Sequence, residues 1–348
     1  MDCTEEMVKI LFQHQHGLII TRIMSTACEL GVFDLLLESG GFLSSAEIAE
    51  RLDTSHMGME KLLEACVSLK LLRMEKKDNE GFYGNTDLAN LCLAKSSPKS
   101  QCQYIQFYSE FVYTCSQYLT KAVREGKHQA PLVFGTSEKN MYINISSSEE
   151  RLEVFQNAMG DAWSLYGQEV ISAFDLSCFH VVCDVGGGSD AFAKQYISLY
   201  PNSTVTIFDL PEVVERAKKH SVSSEEHRIN FQSGDFLNDA IPEADLYILA
   251  RVLHCLNDET CLALLTKLYN ACKPGGGVLL VETVLNEDRS GPLAAHIYSI
   301  LVMLVLEGKE RTLSEYSTLL GAAGFKDVQF KKGRHLDAVY GRKENISF

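Results

Sequence analysis

The stretch of sequence that decides the fold is HVVCDVGGGSDAFAKQYISLY, residues 180–200. It opens with an apolar run of strand length, passes through three glycines at 186–188, and continues with apolar residues at helical spacing. A strand that leads through a glycine-rich turn into a helix is the corner at which open α/β sheets bind their ligands. This stretch therefore predicts an α/β domain with a ligand at the carboxyl edge of its sheet.

The same alternation of strand and helix continues downstream of this corner. Strand-like runs follow at TVTIFDLP, INFQSGDF, ADLYILARVL and GVLLVETVL, separated by amphipathic stretches such as PEVVERAKKH and ETCLALLTKLYNAC. Continuous apolar strands joined by helices predict a doubly wound, Rossmann-like parallel sheet that is covered on both faces. Two later runs, KDVQFKKG and HLDAVYGRK, lie too close together for a helical crossover and predict an antiparallel hairpin.

The N-terminal part of the chain has a different pattern. Residues 1–165 predict a mainly helical domain with a winged helix, and residues 166–348 predict the sheet domain. The segment LSSAEIAERL offers Ser44 or Ser45 as a helix cap, and a second helix follows from about Thr54. The next stretch, LRMEKKDNEGFYGNT, has two strand-like pieces around a polar turn, which completes the winged-helix pattern.

Charge and cysteine usage exclude several classes of partner. The 348 residues include 32 Lys and Arg against 46 Asp and Glu, a net charge of −14 that opposes binding to nucleic acid or anionic lipid. The winged helix itself, residues 41–95, carries nine acidic and seven basic side chains and lacks a basic stripe, so packing against another subunit is favoured over DNA binding. No apolar run approaches the roughly 20 residues that span a bilayer. The eleven cysteines lack zinc-ligand spacing, which predicts free thiols, no metal, and a cytoplasmic protein.

Three successive predicted strands end in groups that suit an adenosine-type cofactor. The first ends at the glycines 186–188, where backbone can approach a ligand closely. The second ends at Asp209, about 20 residues further on, where a carboxylate can accept both ribose hydroxyls. The third ends at Gly234-Asp235-Phe236, which offers a carboxylate and an aromatic ring. The alternative is that Asp209 and Asp235 only cap the helices that follow them.

The next two strands end in groups that suit proton transfer. His254 follows the fourth strand, and an imidazole with an ordinary pKa near 6.5 suits a general base. Glu282 ends the fifth strand, and Glu310 is expected at the start of a helix. Either carboxylate could orient the imidazole and stabilise its cationic form. The alternative for Glu310 is an ordinary acid in the first turn of a helix.

An aromatic run, QCQYIQFYSEFVYTCSQYL, occupies residues 101–119 and includes Tyr108. Its rings recur at mostly helical intervals, so at least one face must be covered. Two interpretations stay open here: packing within a core, or a flat aromatic wall for a ring-shaped substrate.

The order of DVGGG, IFDLPEV, GDF, LYILARVLH, CKPGGGVLLVE and EGKERT, after a winged helix, resembles the S-adenosylmethionine-dependent O-methyltransferases related to plant caffeate methyltransferases. Further stretches such as ACELGVFDLL, SPKSQC and AFDLS resemble the animal members of that family. The resemblance implies a class I methyltransferase fold, a homodimer joined through its helical domain, and S-adenosylmethionine as the cofactor. It also implies methylation of the hydroxyl of N-acetylserotonin, or of a related hydroxyindole or phenol, which for the first gives melatonin.

The resemblance assigns roles to individual residues. It implies His254 as the base, with Glu282 and Glu310 behind it. The residues expected to contact the cofactor are Trp163, Gly186, Asp209, Gly234, Asp235, Phe236 and Arg251. Among them, Gly234 is the glycine at the end of the third strand. The residues expected to contact the acceptor are Tyr108, Cys255, Leu301 and Val305.

Several of these positions depart from the family pattern. Cys255 stands where the family has an aspartate, and Leu301 and Val305 stand where its animal members have an asparagine and a glutamine. Apolar replacements leave a polar group of the substrate unpaired, at a cost of about 1–3 kcal/mol, which predicts weaker binding of N-acetylserotonin. Asp190 replaces a glycine after the glycine-rich turn, and Ser146 stands where an aromatic cofactor contact is expected.

Three hypotheses follow from the sequence. The first is an O-methyltransferase that acts on hydroxyindoles, with an acceptor that is shifted or more apolar. The second is a divergent relative that binds the cofactor but has weak or different acceptor activity and serves as a binding or regulatory partner. The third is a winged-helix protein that binds nucleic acid, which the acidic charge balance disfavours.

Overall fold

The computed structural model describes residues 3–78, 80–135, 141–221 and 227–345. Contacts divide the chain into two compact units, Met1–Tyr113 and Thr114–Phe348. The boundary predicted between residues 165 and 166 lies inside a helix of the second unit, Glu149–Ile171. The limits of independently folding domains stay a prediction, and their outermost residues, 1–2 and 346–348, lie outside the described residues.

The first unit is helical with one small sheet. Its elements are α1 Cys3–Gln15, α2 Gly17–Leu30, α3 Val32–Ser39, β1 Leu43–Ser44, α4 Ser45–Arg51, α5 His56–Ser68, β2 Leu72–Lys77, β3 Glu80–Asn85, α6 Asp87–Cys92, α7 Cys102–Phe107 and a π-helical turn, Tyr108–Val112. The strands pair antiparallel in the order β1-β3-β2 beside α4 and α5. The predicted winged helix is confirmed. Its first helix is capped by Ser44, whose hydroxyl accepts from the Glu47 amide while the Glu47 carboxylate accepts from the Ser44 amide.

The second unit begins with helices and continues into the large sheet. Its elements are α8 Tyr113–Ser116, α9 Leu119–Glu125, α10 Ala130–Phe134, α11 Met141–Ser146, α12 Glu149–Ile171, β4 Val181–Val185, α13 Ala191–Leu199, β5 Thr204–Asp209, α14 Pro211–His220, β6 Ile229–Ser233, β7 Ala244–Ala250, a 3-10 turn Leu253–Cys255, α15 Asp258–Ala271, β8 Cys272–Glu282, α16 Leu293–Val305, α17 Leu313–Ala323, β9 Lys326–Lys331 and β10 Asp337–Arg342.

The sheet has seven strands in the order β6-β5-β4-β7-β8-β10-β9. The strands β4 to β8 run parallel to one another, so their carboxyl ends meet at one edge, and β9 and β10 form the predicted antiparallel hairpin. The order reverses next to β4, and such a switch point is where an open α/β sheet forms its ligand crevice. The doubly wound fold predicted from the sequence is confirmed.

The two faces of the sheet are covered by separate apolar cores. In β7, Tyr247 and Leu249 belong to the core that contains α15 and α17, whereas Leu246 and Ile248 belong to the core that contains α12 and α13. Successive residues of a strand point to opposite faces, so a strand buried on both sides is apolar throughout. Among the described residues, no helix has both the length and the apolar character that crossing a bilayer requires.

Candidate active site

The glycine-rich turn after β4 has a backbone that side chains would disturb. Gly186 and Gly188 have φ values of 72° and 67°, in the left-handed region that favours glycine. The Gly186 amide donates to the Phe208 carbonyl at 2.8 Å, which ties the turn to the end of β5. A Cβ added at Gly187 would lie 2.5 Å from Oδ2 of Asp184, so the backbone passes directly over that carboxylate.

Asp184 is the buried acid beneath this turn. It is 1% exposed, and neither of its carboxylate oxygens has a hydrogen-bond partner within the described ranges. Burial, with a smaller contribution from the Asp209 charge, raises the pKa of Asp184 to about 7. An unpartnered buried carboxylate beside a ligand crevice can accept either a proton or a cationic group. Asp184 is not among the site residues predicted from the sequence.

Asp209 lies at the end of β5 and connects the glycine turn to the next helix. Its Oδ2 accepts from the Gly188 amide at 2.9 Å, and its Oδ1 accepts from the Leu210 amide at 2.7 Å. Burial raises the pKa of Asp209 to about 6, although both backbone bonds act to lower it. Gln156 on α12 supports the same turn, because its Nε2 donates to the Gly188 carbonyl at 2.6 Å. A lone glutamine within a helix gave no sequence signal for this contact.

The third strand end places an aromatic ring beside the glycine turn. A Cβ added at Gly186 would lie 3.5 Å from the Phe236 ring. Asp235 accepts from the Leu237 amide and from the Asn238 side chain, at 2.8 and 2.6 Å, so both of its oxygens have local partners. Asp235 therefore holds a turn, and the alternative that it caps a following helix is wrong, because residues 234–243 between β6 and β7 contain no helix. Its contact with a cofactor stays a prediction.

Gly234 and Trp163 also have structural neighbours. A Cβ at Gly234 would lie 2.6 Å from the ring of Phe208, so only glycine fits between this strand end and β5. Trp163 on α12 is 7% exposed and packs edge-to-face with Phe192 of α13, with 5.0 Å between ring centroids. The cofactor roles assigned to these two residues stay predictions.

Two of the departures from the family pattern, Asp190 and Ser146, have local hydrogen-bond partners. Asp190 has a φ of −82°, so its backbone carries none of the strain that a left-handed position would impose. Its Oδ2 pairs with Lys194 at 2.8 Å and accepts from the Ser221 hydroxyl at 2.7 Å. Ser146 ends α11, where its hydroxyl donates to the Ile143 carbonyl at 3.2 Å.

His254 lies on the 3-10 turn after β7 and is held at one ring nitrogen. Its Nδ1 lies 3.0 Å from Oε1 of Glu310 and 2.9 Å from Nη2 of Arg251. A guanidinium can only donate and a carboxylate can only accept, so these neighbours favour different protonation states of Nδ1. Burial and Arg251 act to lower the pKa of His254, but Cys255 and the bond to Glu310 outweigh them and raise it to about 10.

The two glutamates have separate contacts. Glu310 contacts the imidazole ring, whereas Oε1 of Glu282 accepts from the backbone amides of Leu253 and His254, at 2.9 and 3.4 Å. Glu282 therefore holds the backbone of the turn, and Glu310 holds the ring. Burial would raise the pKa of Glu310, but the Arg251 charge and the contact with His254 hold it at about 2.

The prediction that Glu310 begins a helix is wrong. The helix α17 begins at Leu313 and is capped by Thr312, and the acid of its first turn is Glu315. Glu310 lies in the preceding segment, 1% exposed, where its amide donates to the Ser299 hydroxyl at 3.0 Å. The alternative interpretation as an ordinary first-turn acid therefore does not apply to Glu310.

Arg251 lies between the two carboxylates. Its Nη1 donates to Glu282 at 3.0 Å, and its Nη2 donates to Glu310 at 2.7 Å. Its guanidinium also lies 4.8 Å from the ring centroid of Tyr298, which suits a cation–π contact. Arg251 has a φ of 59°, in the left-handed region that is uncommon for residues other than glycine. Its predicted contact with a cofactor stays a prediction.

His254, Glu282 and Glu310 offer ligand atoms that all lie within 4.8 Å of one another, as in a metal site. Arg251 already contributes a positive charge that contacts both carboxylates. A cation in the same space would have to compete with that guanidinium. The expectation that the site holds no metal stays a prediction.

The residues expected at the acceptor lie in different parts of the chain. Cys255 follows His254, is buried, and has its Sγ 2.8 Å from the hydroxyl of Tyr142 on α11. On α16, Leu301 is half-buried and Val305 is buried. Tyr108 begins the π-helical turn of the first unit. The contacts of these residues with an acceptor stay predictions.

Comparison with known proteins identifies the family. The chain matches the O-methyltransferase domain over residues 116–326, more than half of its length, and the O-methyltransferase dimerisation domain over residues 12–95. The acetylserotonin O-methyltransferase of Gallus gallus is 53% identical over 346 residues, which cover 99% of this chain and 100% of that protein. The acetylserotonin O-methyltransferase of Homo sapiens is 46% identical over 341 residues, which cover 97% and 99% of the two chains.

A solved structure agrees with these matches. The crystal structure of human N-acetylserotonin methyltransferase in complex with SAM superposes on this chain with a TM-score of 0.94, at 44% identity and over 99% and 100% of the two chains. The class I methyltransferase fold and the O-methyltransferase activity class predicted from the sequence are confirmed. The chain belongs to the O-methyltransferase family, within the group formed by the acetylserotonin O-methyltransferases.

Proposed function

We propose that this enzyme methylates the hydroxyl group of N-acetylserotonin, giving melatonin, or of a related hydroxyindole or phenol. The observation that carries the proposal is the contact of 3.0 Å between His254 Nδ1 and Glu310 Oε1. This pair leaves the other ring nitrogen, Nε2, as the atom that accepts a proton. The segment that leads to His254 packs on the glycine turn, since a Cβ added at Gly186 would lie 3.0 Å from the Val252 side chain. We name this turn, with Asp209 and Phe236, the cofactor corner. The family and its relatives support the activity class.

The residues at the cofactor corner fit S-adenosylmethionine, the cofactor of this family. The cofactor carries positive charge, and Asp184 is a buried carboxylate without a hydrogen-bond partner in the described part of the chain. Gly186 to Gly188 let backbone approach the ligand, and Asp209 offers a carboxylate at the adjoining strand end. Phe236 places an apolar ring beside the same turn. When bound, the cofactor supplies a methyl group that its sulfonium already activates.

The chain then has two tasks, which are to align the acceptor and to remove its proton. An indole hydroxyl resembles that of tyrosine, whose pKa is about 10, so a base with an ordinary histidine pKa ionises it poorly. Glu310 helps to raise the pKa of His254 to about 10, which matches base and acceptor and favours proton transfer coupled to attack. Arg251 donates to Glu282, and Glu282 accepts from the backbone amide of Leu253, so these two residues fix the turn that carries His254.

The preferred acceptor is expected to be more apolar than N-acetylserotonin at the end where N-acetylserotonin carries its amide. Leu301 and Val305 offer no hydrogen bond to an amide, and the thiol of Cys255 already contacts Tyr142. We therefore propose that hydroxyindoles with an apolar substituent compete well with N-acetylserotonin, because burying an unpaired amide costs about 1–3 kcal/mol.

We also propose a homodimer in the cytoplasm. The matched dimerisation domain supports the dimer, as do the large apolar side chains that α1 and α2 expose, including Leu11, Phe12 and Leu18. The free thiols of the described cysteines, most of them buried, support a reducing compartment. Light scattering of the purified protein tests the dimer, and a monomer at micromolar concentration contradicts it.

The function is tested with purified protein. Calorimetric titration measures S-adenosylmethionine binding, and product analysis with a panel of hydroxyindoles and phenols identifies the acceptor. We expect binding and transfer to a hydroxyindole. Binding without transfer to any member of the panel contradicts the proposal and favours a role as a binding or regulatory partner.

A further inference from the structure

The turn that carries His254 is held by a buried arginine outside the predicted site. Arg311 is 0% exposed. Its Nη1 donates to the Leu253 carbonyl at 2.8 Å, and its Nη2 donates to the Leu256 carbonyl at 2.7 Å. Leu253 begins the 3-10 turn and Leu256 follows it, so one guanidinium spans the turn. Its Nε donates to Oδ1 of Asp258 at 2.8 Å, which fixes the plane of the fork.

The backbone that precedes Arg311 lies against the same turn. A Cβ added at Gly308 would lie 2.0 Å from the His254 carbonyl oxygen, so only glycine allows this approach. Lys309 pairs with Asp258 at 2.9 Å, and the Arg311 carbonyl accepts from the Leu285 amide at 2.9 Å. We name residues 308–311 the strap, because this segment is fixed against the turn and beside the end of β8.

Two side chains of the strap, those of Glu310 and Arg311, act on His254. Glu310 reaches the imidazole ring of His254, while Arg311 reaches the carbonyls on either side of the His254 backbone. If the turn moved, the imidazole ring of His254 would shift relative to Glu310, even though neither of these two side chains had been changed. Positions of reacting groups matter at this scale, since a misplacement of about 1 Å can cost roughly a hundredfold in rate.

We propose that Arg311 is a positioning residue, which clamps the 253–256 turn so that His254 Nδ1 stays within hydrogen-bond distance of Glu310. The role of His254 as the base rests on the proposed function, but the clamp itself concerns only this chain. Arginine suits the task because its rigid fork donates to two carbonyls and a carboxylate at once, whereas the single ammonium of lysine cannot reach all three. Burial acts to lower the pKa of Arg311, but Cys261 and the hydrogen bond to Asp258 outweigh it, so the pKa is raised and the guanidinium remains charged.

The test compares Arg311→Lys with Arg216→Lys as its matched control. Arg216 is also buried, at 7% exposed, but it lies on α14 and pairs with Glu153, away from the turn. Thermal unfolding confirms that each variant folds. For Arg311→Lys we expect kcat to fall by roughly a hundredfold, while the Kd for S-adenosylmethionine changes by less than about threefold. The control keeps the wild-type kcat.

Two further readouts separate positioning from general stability. The first readout is the NMR spectrum of protein labelled with ¹⁵N-histidine, in which the signal missing from His254→Ala belongs to His254. We expect the Nδ1 signal of His254 to change in Arg311→Lys and to remain unchanged in Arg216→Lys. The groups that face His254 are Arg251, Cys255, Glu282 and Glu310. Loss of the Glu310 contact lowers the pKa of His254, so the rise of kcat with pH moves to lower pH. A folded Arg311→Lys variant with wild-type kcat, pH profile and Nδ1 signal overturns the proposal.

Asp258→Asn covers the case in which Arg311→Lys does not fold. It weakens one partner of Arg311 and leaves the two carbonyl contacts, so we expect a smaller change of the Nδ1 signal in the same direction. An unchanged signal in that variant overturns the proposal as well. If the wild-type enzyme methylates no hydroxyindole or phenol, the proposed function fails, whereas the signal of His254 still decides whether Arg311 positions it.

Discussion

His254 and Glu310 meet at a single atom, the Nδ1 of the imidazole, which lies 3.0 Å from Glu310 Oε1. Arg251 approaches the same Nδ1 at 2.9 Å and also donates to Oε1 of Glu310 at 2.7 Å. When Nδ1 donates to Glu310, the lone pair of Nε2 is free to take a proton. When Nδ1 accepts from Arg251, the proton of a neutral imidazole is on Nε2 and the ring cannot act as a base there. The balance between Glu310 and Arg251 therefore decides which ring nitrogen of a neutral His254 carries the proton.

Replacement of the base should stop methyl transfer and spare cofactor binding. For His254→Ala we expect kcat to fall by about 10²- to 10⁴-fold, the usual contribution of a general base. The Kd for S-adenosylmethionine, measured by calorimetry, should stay close to that of the wild type. His296→Ala is the control, because His296 lies on α16 and its Nε2 contacts the Arg289 carbonyl. Wild-type activity in His254→Ala would reject His254 as the base.

Replacement of Glu310 should change the pH dependence as well as the rate. The proposed function requires the neutral form of His254 as the base, so kcat is expected to rise as pH rises toward the His254 pKa of about 10. Glu310→Gln removes a charge that helps to raise this pKa, while Arg251 still lowers it and Cys255 still raises it. The rise should therefore move to lower pH, and kcat should fall by up to about 10⁴-fold. A pH profile that stays in place in Glu310→Gln, measured under saturating substrates, would contradict this role.

The buried acid Asp184 should destabilise the cofactor-free protein at neutral and higher pH. Its pKa is raised from 3.8 to about 7 by burial, so the folded state holds a proton that the unfolded state has already released. The free energy of unfolding should therefore fall as pH rises from about 4 to about 7 and stay low above it. Asp184→Asn should remove the Asp184 share of this decline and raise stability at pH 8 by a few kcal/mol. The share of Asp209, whose pKa burial raises to about 6, remains in the variant.

Thermal unfolding of the cofactor-free protein across this pH range measures the effect of Asp184→Asn. Asp235→Asn is the control, because the Asp235 carboxylate is partly exposed and has partners of its own. A variant at Asp184 that is less stable than the wild type at pH 8 would contradict the destabilising role of the Asp184 carboxylate.

A polar group on α16 should improve the binding of N-acetylserotonin. For Leu301→Asn we expect KM for N-acetylserotonin to fall by about 5- to 150-fold, which corresponds to about 1–3 kcal/mol for a paired amide. KM for a hydroxyindole without an amide should rise or stay. Ile300→Asn is the control, because Ile300 is the exposed neighbour on the same helix. Equal effects of the two variants on both acceptors would remove Leu301 from the acceptor site.

The order of elements could be predicted because it depends on local patterns. Strands such as β4 and β7 are apolar throughout because both faces are covered, and the turn at 186–188 carries glycines because two of them need a positive φ. The capped helix at Ser44 is equally local. The error at Glu310 shows the limit of such patterns, because an acid near a helix start has the same appearance in sequence whether it caps the helix or lies two residues before the cap.

The sequence by itself determined the parallel sheet, the winged helix, the glycine turn beside the end of β5 at Asp209, and the position of His254 at the edge of the sheet. Only the tertiary structure decided which carboxylate contacts the imidazole, because Glu282 and Glu310 lie 28 and 56 residues from His254 and no spacing rule covers such distances. It also decided that Arg311, 58 residues from Leu253, holds the turn. Contacts of this kind arise when a loop folds back over the end of a strand, and their geometry depends on packing between distant segments.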